Sequence, residues 1–439
     1  MLDAAWLHLS LKSLPPCSYR TAMKRSSDIF PTLFLVYALC TLPIIFSVAD
    51  QPLNRFGYLP IAPTAFTLIA LSPFVVSALM SDLKARHAQK TILPARANYL
   101  PLLAFLFLVA TSLVGAMLPT AYWEEGGKWI FLITYGFIVV VCASYVPLSG
   151  LTLSGTQTIG LLSLALVAGS LYHDFQAPGT YAALGERPSG FSGNANYSAL
   201  ISVMTAASAL DYSSRRKGWF NLSIFALAAY IVIGTMSRSG ALELATLFGA
   251  FTYFRLRDTS NLQRELRRIG ISACFLAVIG AGTISYLANS TPAGGEQSRL
   301  YRLTHSKQVD DGSTASRLFA VQECLRRIND SPILGHGTGY ARTLPELPHN
   351  LYLQQWVNNG LPGFLGYITF LGLSLYLFSV RRFRPGQAFI LVALIGSGFS
   401  HNVLDQRTFL VLYGMLLTLS LTYARPTIER YPRAASAAP

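Results

Sequence analysis

The feature that most constrains this chain is a recurrence of apolar runs, each about twenty residues long, separated by short polar breaks. A helix rises 1.5 Å per residue, so roughly twenty residues cross the ~30 Å hydrocarbon layer of a bilayer. Such runs lie at about 29–49, 58–80, 99–119, 129–148, 155–174, 195–211, 219–237, 239–254, 270–288, 361–380, 386–401 and 407–424. Hydrocarbon offers the backbone no partners, so segments of this kind close their hydrogen bonds internally, as helices. The expected fold is therefore all-α: a polytopic membrane protein with about 12 transmembrane helices. The seventh and eighth spans are separated only by the tight turn Ser237-Arg238-Ser239-Gly240.

Composition agrees. Hydrophobic residues make up 52% of the 439 positions and charged residues 12%, against about a quarter charged in soluble proteins. The net charge of +14 would suit nucleic acid only if the basic residues formed one patch. They occur instead in short clusters between apolar runs, where they read as topology signals, and no nucleic-acid partner is expected. Lys24 and Arg25 precede the first span, and Lys84, Arg86, Lys90 and Arg96 follow the second. Further clusters are Arg215 to Lys217, Arg255 to Arg268, Arg381 to Arg384 and Arg425 to Arg433. With the span count above, all of them fall on one side, predicted to be the cytoplasm together with both termini.

The first thirty residues lack the compact apolar core and small-residue cleavage site of a signal peptide, so the first span is expected to act as its own targeting signal. The chain then divides into helices 1–9 with short loops over 1–288, a large external loop over 289–360, helices 10–12 over 361–425, and a disordered tail over 426–439. The five cysteines show no C-x-x-C spacing, which supports neither a disulfide framework nor a zinc site.

The side opposite the basic clusters receives 50–57, 120–128, 175–194, the SRSG turn, 289–360 and 402–406. The polar motifs gather there, away from ATP and nucleotide sugars. In the loop Glu186–Leu200, Gly190 and Gly193 permit tight turns, and Asn194 or Asn196 can cap the sixth span. Arg187 is a fixed charge near the membrane surface, an anion ligand or a headgroup contact. Arg238, between two apolar spans, either snorkels to the interface or lines a wet cavity holding an anion, since full membrane depth costs an arginine roughly 3 kcal/mol or more.

The longest polar interval, 310–363, carries several motifs. Ala315, Leu318, Val321, Leu325 and Ile328 recur at helical spacing and predict an amphipathic helix at about 314–328. Arg317 lies near the edge of that apolar stripe, while Arg326 and Arg327 read as solvated charges. Gly335, Gly337 and Gly339 permit close approach to a ligand or make a flexible turn, and His336 beside them reads as structural. His349 and Asn350 open a short helix to about Asn358, which Gly360 ends before Pro362 begins the tenth span. An imidazole with a pKa near 6.5 is largely neutral outside the cytosol and free to take a proton. Beside several arginines, His349 therefore reads as a catalytic candidate. His401-Asn402, followed by Asp405 and Arg407, could line the same cavity or simply cap two helices.

Taken in order, the arginine loop, the SRSG turn, the long interval with its PILG-G turn, and HN before G-LPG resemble the bacterial O-antigen ligase family, within a superfamily that includes O-antigen polymerases. The resemblance implies glycan transfer from undecaprenyl pyrophosphate to a hydroxyl of lipid A-core, at the periplasmic face of the bacterial inner membrane. It implies no nucleotide, metal or other cofactor; the chain has no D-x-D motif, and Asp310-Asp311 reads as a loop before a helix. Arg187, Arg238 and Arg317 would bind the pyrophosphate through planar, permanently charged forks. His349 would be the general base of a single inverting displacement, with Asn350, Asn194, Tyr197 and His401 in supporting places. The four principal residues are expected to converge on one cavity, with 310–363 as one wall. The alternatives are a polymerase using the same donor and a transporter of lipid-linked sugars. The transporter is disfavoured by one-sided motifs and the lack of an evident inverted repeat.

Overall fold

The structure, a computed structural model, describes residues 16–87, 99–118, 123–149, 151–177, 180–181, 187–213, 218–257, 259, 262–289, 312–399 and 403–423. Asp310, Asp311, His401, Asn402 and the tail expected to be disordered lie outside the described residues. Among the described residues the regular structure is helical, with no strand.

The helices are α1 (Pro16–Ser47), α2 (Asp50–Arg55), α3 (Pro63–His87), α4 (Tyr99–Ala116), α5 (Trp123–Ser144), α6 (Leu153–Gln176) and α7 (Ala195–Ala209). They continue as α8 (Gly218–Gly234), α9 (Arg238–Arg257), α10 (Leu262–Asn289), α11 (Gly312–Asp330), α12 (Leu351–Val380), α13 (Arg384–Phe399) and α14 (Arg407–Tyr423). Each of the twelve apolar runs overlaps one of them over its described residues. By length and hydropathy, four helical stretches among the described residues could cross a membrane: 63–80, 123–148, 153–176 and 351–380. The helix of the fourth run begins earlier than its apolar pattern, so Glu124, Glu125 and Lys128 sit on its first turns rather than in a loop.

The core forms where α12 packs along α4 and α14 along α5, with α9 against α13 and α6 against α7. Large aromatic side chains bury the most apolar area, and their offset or edge-on contacts add to it. Phe105 stacks on Phe370 at 5.1 Å, Phe370 meets Tyr413 edge-on at 5.2 Å, and Phe409 stacks on Phe389 at 5.3 Å. This ladder joins α4, α12, α14 and α13. On the outside, Ile69, Val76 and Met80 of α3 and Leu100, Leu103 and Phe107 of α4 are exposed. Outward apolar faces at helical spacing suit lipid rather than water.

Contacts between distant connections give the bundle two distinct ends. Arg407 at the start of α14 pairs with the buried Asp50 carboxylate and also donates to Pro63 O at 2.8 Å and Thr67 Oγ1 at 3.3 Å. Arg342 bridges Glu125 at 3.2 Å and Asp405 at 3.4 Å. Arg187 donates to Met236 O at 3.2 Å. The short α2 packs against the 3-10 turn Gly190–Ser192. Elsewhere, the basic clusters make their own contacts. Arg255 pairs with Glu265 at 2.5 Å, Arg384 lies 5.0 Å over the Phe254 ring, and Arg381 donates to Ser420 at 2.7 Å.

Candidate functional site

One part of the site is built on the loop before α7. Asp174, 3% exposed near the end of α6, accepts hydrogen bonds from the backbone N–H of Ser189 at 2.8 Å, Gly190 at 3.3 Å and Tyr181 at 3.3 Å. Asn194 caps α7 by accepting from the N–H of Asn196 and Tyr197, at 3.0 and 3.3 Å. The loop so fixed turns Arg187 inward. Its guanidinium reaches Met236 O and, at 3.4 Å, Asn196 Oδ1, which also accepts from Ser237 Oγ at 3.0 Å. Arg238, in the SRSG turn itself, is the exposed first residue of α9. Arg187 and the SRSG turn are thus joined through Asn196.

Asp174→Asn is expected to unfasten this loop, because an amide presents one acceptor oxygen where the carboxylate presents two. Leaving a buried N–H without its acceptor costs about 1–3 kcal/mol. The variant should melt at a lower temperature and be cut faster by protease between 177 and 194. Wild-type melting with wild-type cleavage would show that Asp174 does not hold the loop.

The second part comes from 312–350. The buried face of α11 is Ala320, Cys324 and Ile328, packed on Ala341, Leu344 and Val357. The apolar stripe expected from the sequence is therefore only partly the packed one: Leu318 is 59% exposed and Leu325 48%. Small side chains four apart allow the close approach, while the larger leucines face outward. Arg326 and Arg327 clasp Glu323; Arg326 is the solvated charge expected, whereas Arg327 lies partly buried over the Tyr340 ring, and the hydrogen bonds and charge of the two lower the Glu323 carboxyl to about 2.

The glycine turn differs most from its expectation. A Cβ at Gly335 would lie 2.4 Å from Gly360 N, and one at Gly339 would lie 2.4 Å from Gly126 N. The close approach is to the chain's own backbone, at α5 and at the break in α12. His336 N donates to Val357 O and Gly337 N to Asn358 O, both at 2.8 Å. Thr338, fully buried, donates from Oγ1 to Ser112 O at 2.6 Å. The turn is a clamp between α4, α5 and α12, which leaves no loose flap over a ligand. His336 has the structural place expected of it, bonded to Arg327 O at 2.7 Å and stacked on Tyr340.

The clamp places the start of α12. Asn350 caps the helix, accepting from Leu353 N at 3.1 Å. His349, one residue earlier, lines a cavity of 790 Å³ together with Glu124, Glu125, Tyr197, Arg342 and Asp405. Burial, and then the Arg317 guanidinium, push the His349 pKa below its ordinary value, against a smaller opposing pull from Glu346. Its neutral form, the one able to accept a proton, is therefore favoured.

The expected residues form two groups. His349 and Asn350 stand at the start of α12, where His349 feels the charge of Arg317 on α11, while Arg187 reaches the turn that carries Arg238. The first turn of α7 touches both groups, since Asn196 receives Arg187 and Tyr197 lines the cavity that His349 lines. Of the described residues, none of the three arginines lines the cavity itself. Sequence reasoning missed Arg342, the arginine that does. Its signal was an arginine inside the polar interval with carboxylates, Glu125 and Asp405, on two other connections of the same side.

No curated protein matches the chain. Residues 223–368, which run from α8 through the SRSG turn and His349 into α12, match the family model described as O-antigen ligase.

Proposed function

We propose that the protein is an O-antigen ligase of the bacterial inner membrane, transferring a glycan from undecaprenyl pyrophosphate to a hydroxyl of lipid A-core on the periplasmic side. The family supports the ligase and polymerase superfamily. The observation that carries the reading further is His349, half-buried in the cavity lining, its pKa lowered by burial and by the charge of Arg317, with the Arg187–SRSG cluster at the adjoining turn of α7. The orientation is supported by the connections tied together at the end opposite the basic clusters, and about twelve spans with both termini in the cytoplasm fit that arrangement.

In the reaction, the acceptor oxygen forms a bond to the anomeric carbon and its proton passes to the imidazole of His349. The bond from that carbon to the pyrophosphate oxygen breaks, and the electron pair leaves on the phosphate. Arg187, Arg238 and Arg317 supply preorganised positive charge for that leaving group. A single displacement inverts the anomeric configuration. No step calls on a metal or nucleotide.

Purified full-length protein in detergent, given polyprenyl-pyrophosphate-linked glycan and lipid A-core, is expected to yield capped lipid A-core. Longer polyprenyl-linked chains with unmodified lipid A-core would identify a polymerase instead. Failure to consume the donor at all would favour the transporter, since detergent leaves no two compartments to transport between.

A further inference from the structure

Arg342 takes no part in the transfer chemistry above, yet it stands at the centre of the cavity's charge pattern. It lies in the 3-10 turn Tyr340–Thr343, immediately after the glycine clamp. Its Nη1 donates to Glu125 on the first turn of α5 at 3.2 Å, and its Nη2 to Asp405 before α14 at 3.4 Å. All three line the cavity that His349 lines. One guanidinium therefore fixes two carboxylates carried by elements remote in sequence, and a planar fork suits that task.

We propose that Arg342 is a positioning residue for the acceptor: it holds the Glu125 and Asp405 carboxyl groups oriented across the cavity, so that they receive the hydroxyl groups of an uncharged sugar ring. This rests on the ligase reading and specifies its acceptor. An ionised carboxylate accepts about four hydrogen bonds over its two oxygens, more than the bonds from Arg342 and Lys128 take up at Glu125. The cavity lining carries Glu124, Glu125 and Asp405 against the single guanidinium of Arg342, and burial shifts the His349 imidazole towards its uncharged form. Lys128, on the exposed side of α5, clasps Glu124 and Glu125 from outside at 3.2 and 2.7 Å. A hydroxyl-rich ring finds acceptors in such a lining, whereas a ring bearing phosphate or carboxylate meets like charge. The anionic group of the reaction, the pyrophosphate, belongs instead with Arg187, Arg238 and Arg317, outside the lining.

The test uses the full chain in detergent with a polyprenyl-pyrophosphate-linked glycan and two lipid-anchored oligosaccharide acceptors, one ending in a neutral hexose and one ending in the same hexose phosphorylated. Arg342→Gln is expected to raise the KM for the neutral acceptor at least about tenfold, which corresponds to about 1.4 kcal/mol, and to leave the donor KM within about twofold. Arg342→Lys should fall between, because an ammonium is a point charge without a fork. The wild type should use the neutral acceptor at least about tenfold better in kcat/KM, a comparison that needs no variant to fold. An unchanged acceptor KM in Arg342→Gln, or donor and acceptor KM rising in parallel, would reduce Arg342 to a structural clamp and overturn the proposal. Equal use of the two acceptors would overturn the assignment of an uncharged ring. Absence of any transfer by the wild type would instead remove the ligase reading on which the proposal stands.

Discussion

His349→Ala is expected to lower glycan transfer by about 10²–10⁴ in kcat, the usual contribution of a positioned general base, while donor binding persists. Asn350 supplies the cap of α12, so the helix start survives the substitution. Burial and Arg317 hold the imidazole pKa below its ordinary value near 6.5, and this fixes the sign of the pH dependence. A protonated ring has no lone pair to offer, so the rate should be flat above that pKa and fall about tenfold per unit below it. Arg317→Gln removes a positive charge that opposes protonation, so its acid limb should move to higher pH. The measurements are single-turnover transfer and donor binding across pH 5–8. Wild-type turnover by His349→Ala, or a wild-type acid limb centred above about pH 7, would remove His349 from the proton transfer.

The local elements of this site were legible in sequence because their energetics are local. Asn194 and Asn350 precede apolar helices and cap them, and Gly360 followed by Pro362 marks the break in α12, since each acts on the backbone beside it. The pairing of ions was not legible beyond the shared side of their connections. Asp50 with Arg407, and Glu125 with Arg342 and Asp405, join residues that only packing brings together, and no periodicity reports them. The apolar stripe of α11 failed for another reason. In a chain that offers apolar faces to its surroundings, an apolar residue is no sure sign of burial, and Leu318 and Leu325 face out while the smaller Ala320 and Cys324 face in. The glycines of 335–339 signalled close approach correctly. The approaching group is the chain's own backbone, a distinction composition cannot draw.

Gly360→Ala tests that clamp most directly. Gly360 has φ 63° and ψ −161°, a region populated almost solely by glycine and costly for other residues by about 1–3 kcal/mol. A Cβ added there would lie 2.0 Å from Ile333 O, a backbone atom that cannot rotate away. The next residue, Leu361, turns its N–H to Pro332 O and Ile333 O at 3.0 and 3.2 Å, so displacing the 332–334 backbone also breaks the bonds that seat the turn. Strain and clash together should destabilise the protein by about 3 kcal/mol or more, into the range that marks a specific structural failure. Gly372→Ala, on the same helix with open space around its would-be Cβ, should stay within about 0.5 kcal/mol. Thermal unfolding in detergent separates the two, and equal melting of Gly360→Ala and wild type would mean that the break does not seat the clamp. Because the clamp sets where α12 begins, the surviving folded Gly360→Ala should also transfer glycan more slowly per folded molecule, whereas Gly372→Ala should keep the wild-type rate.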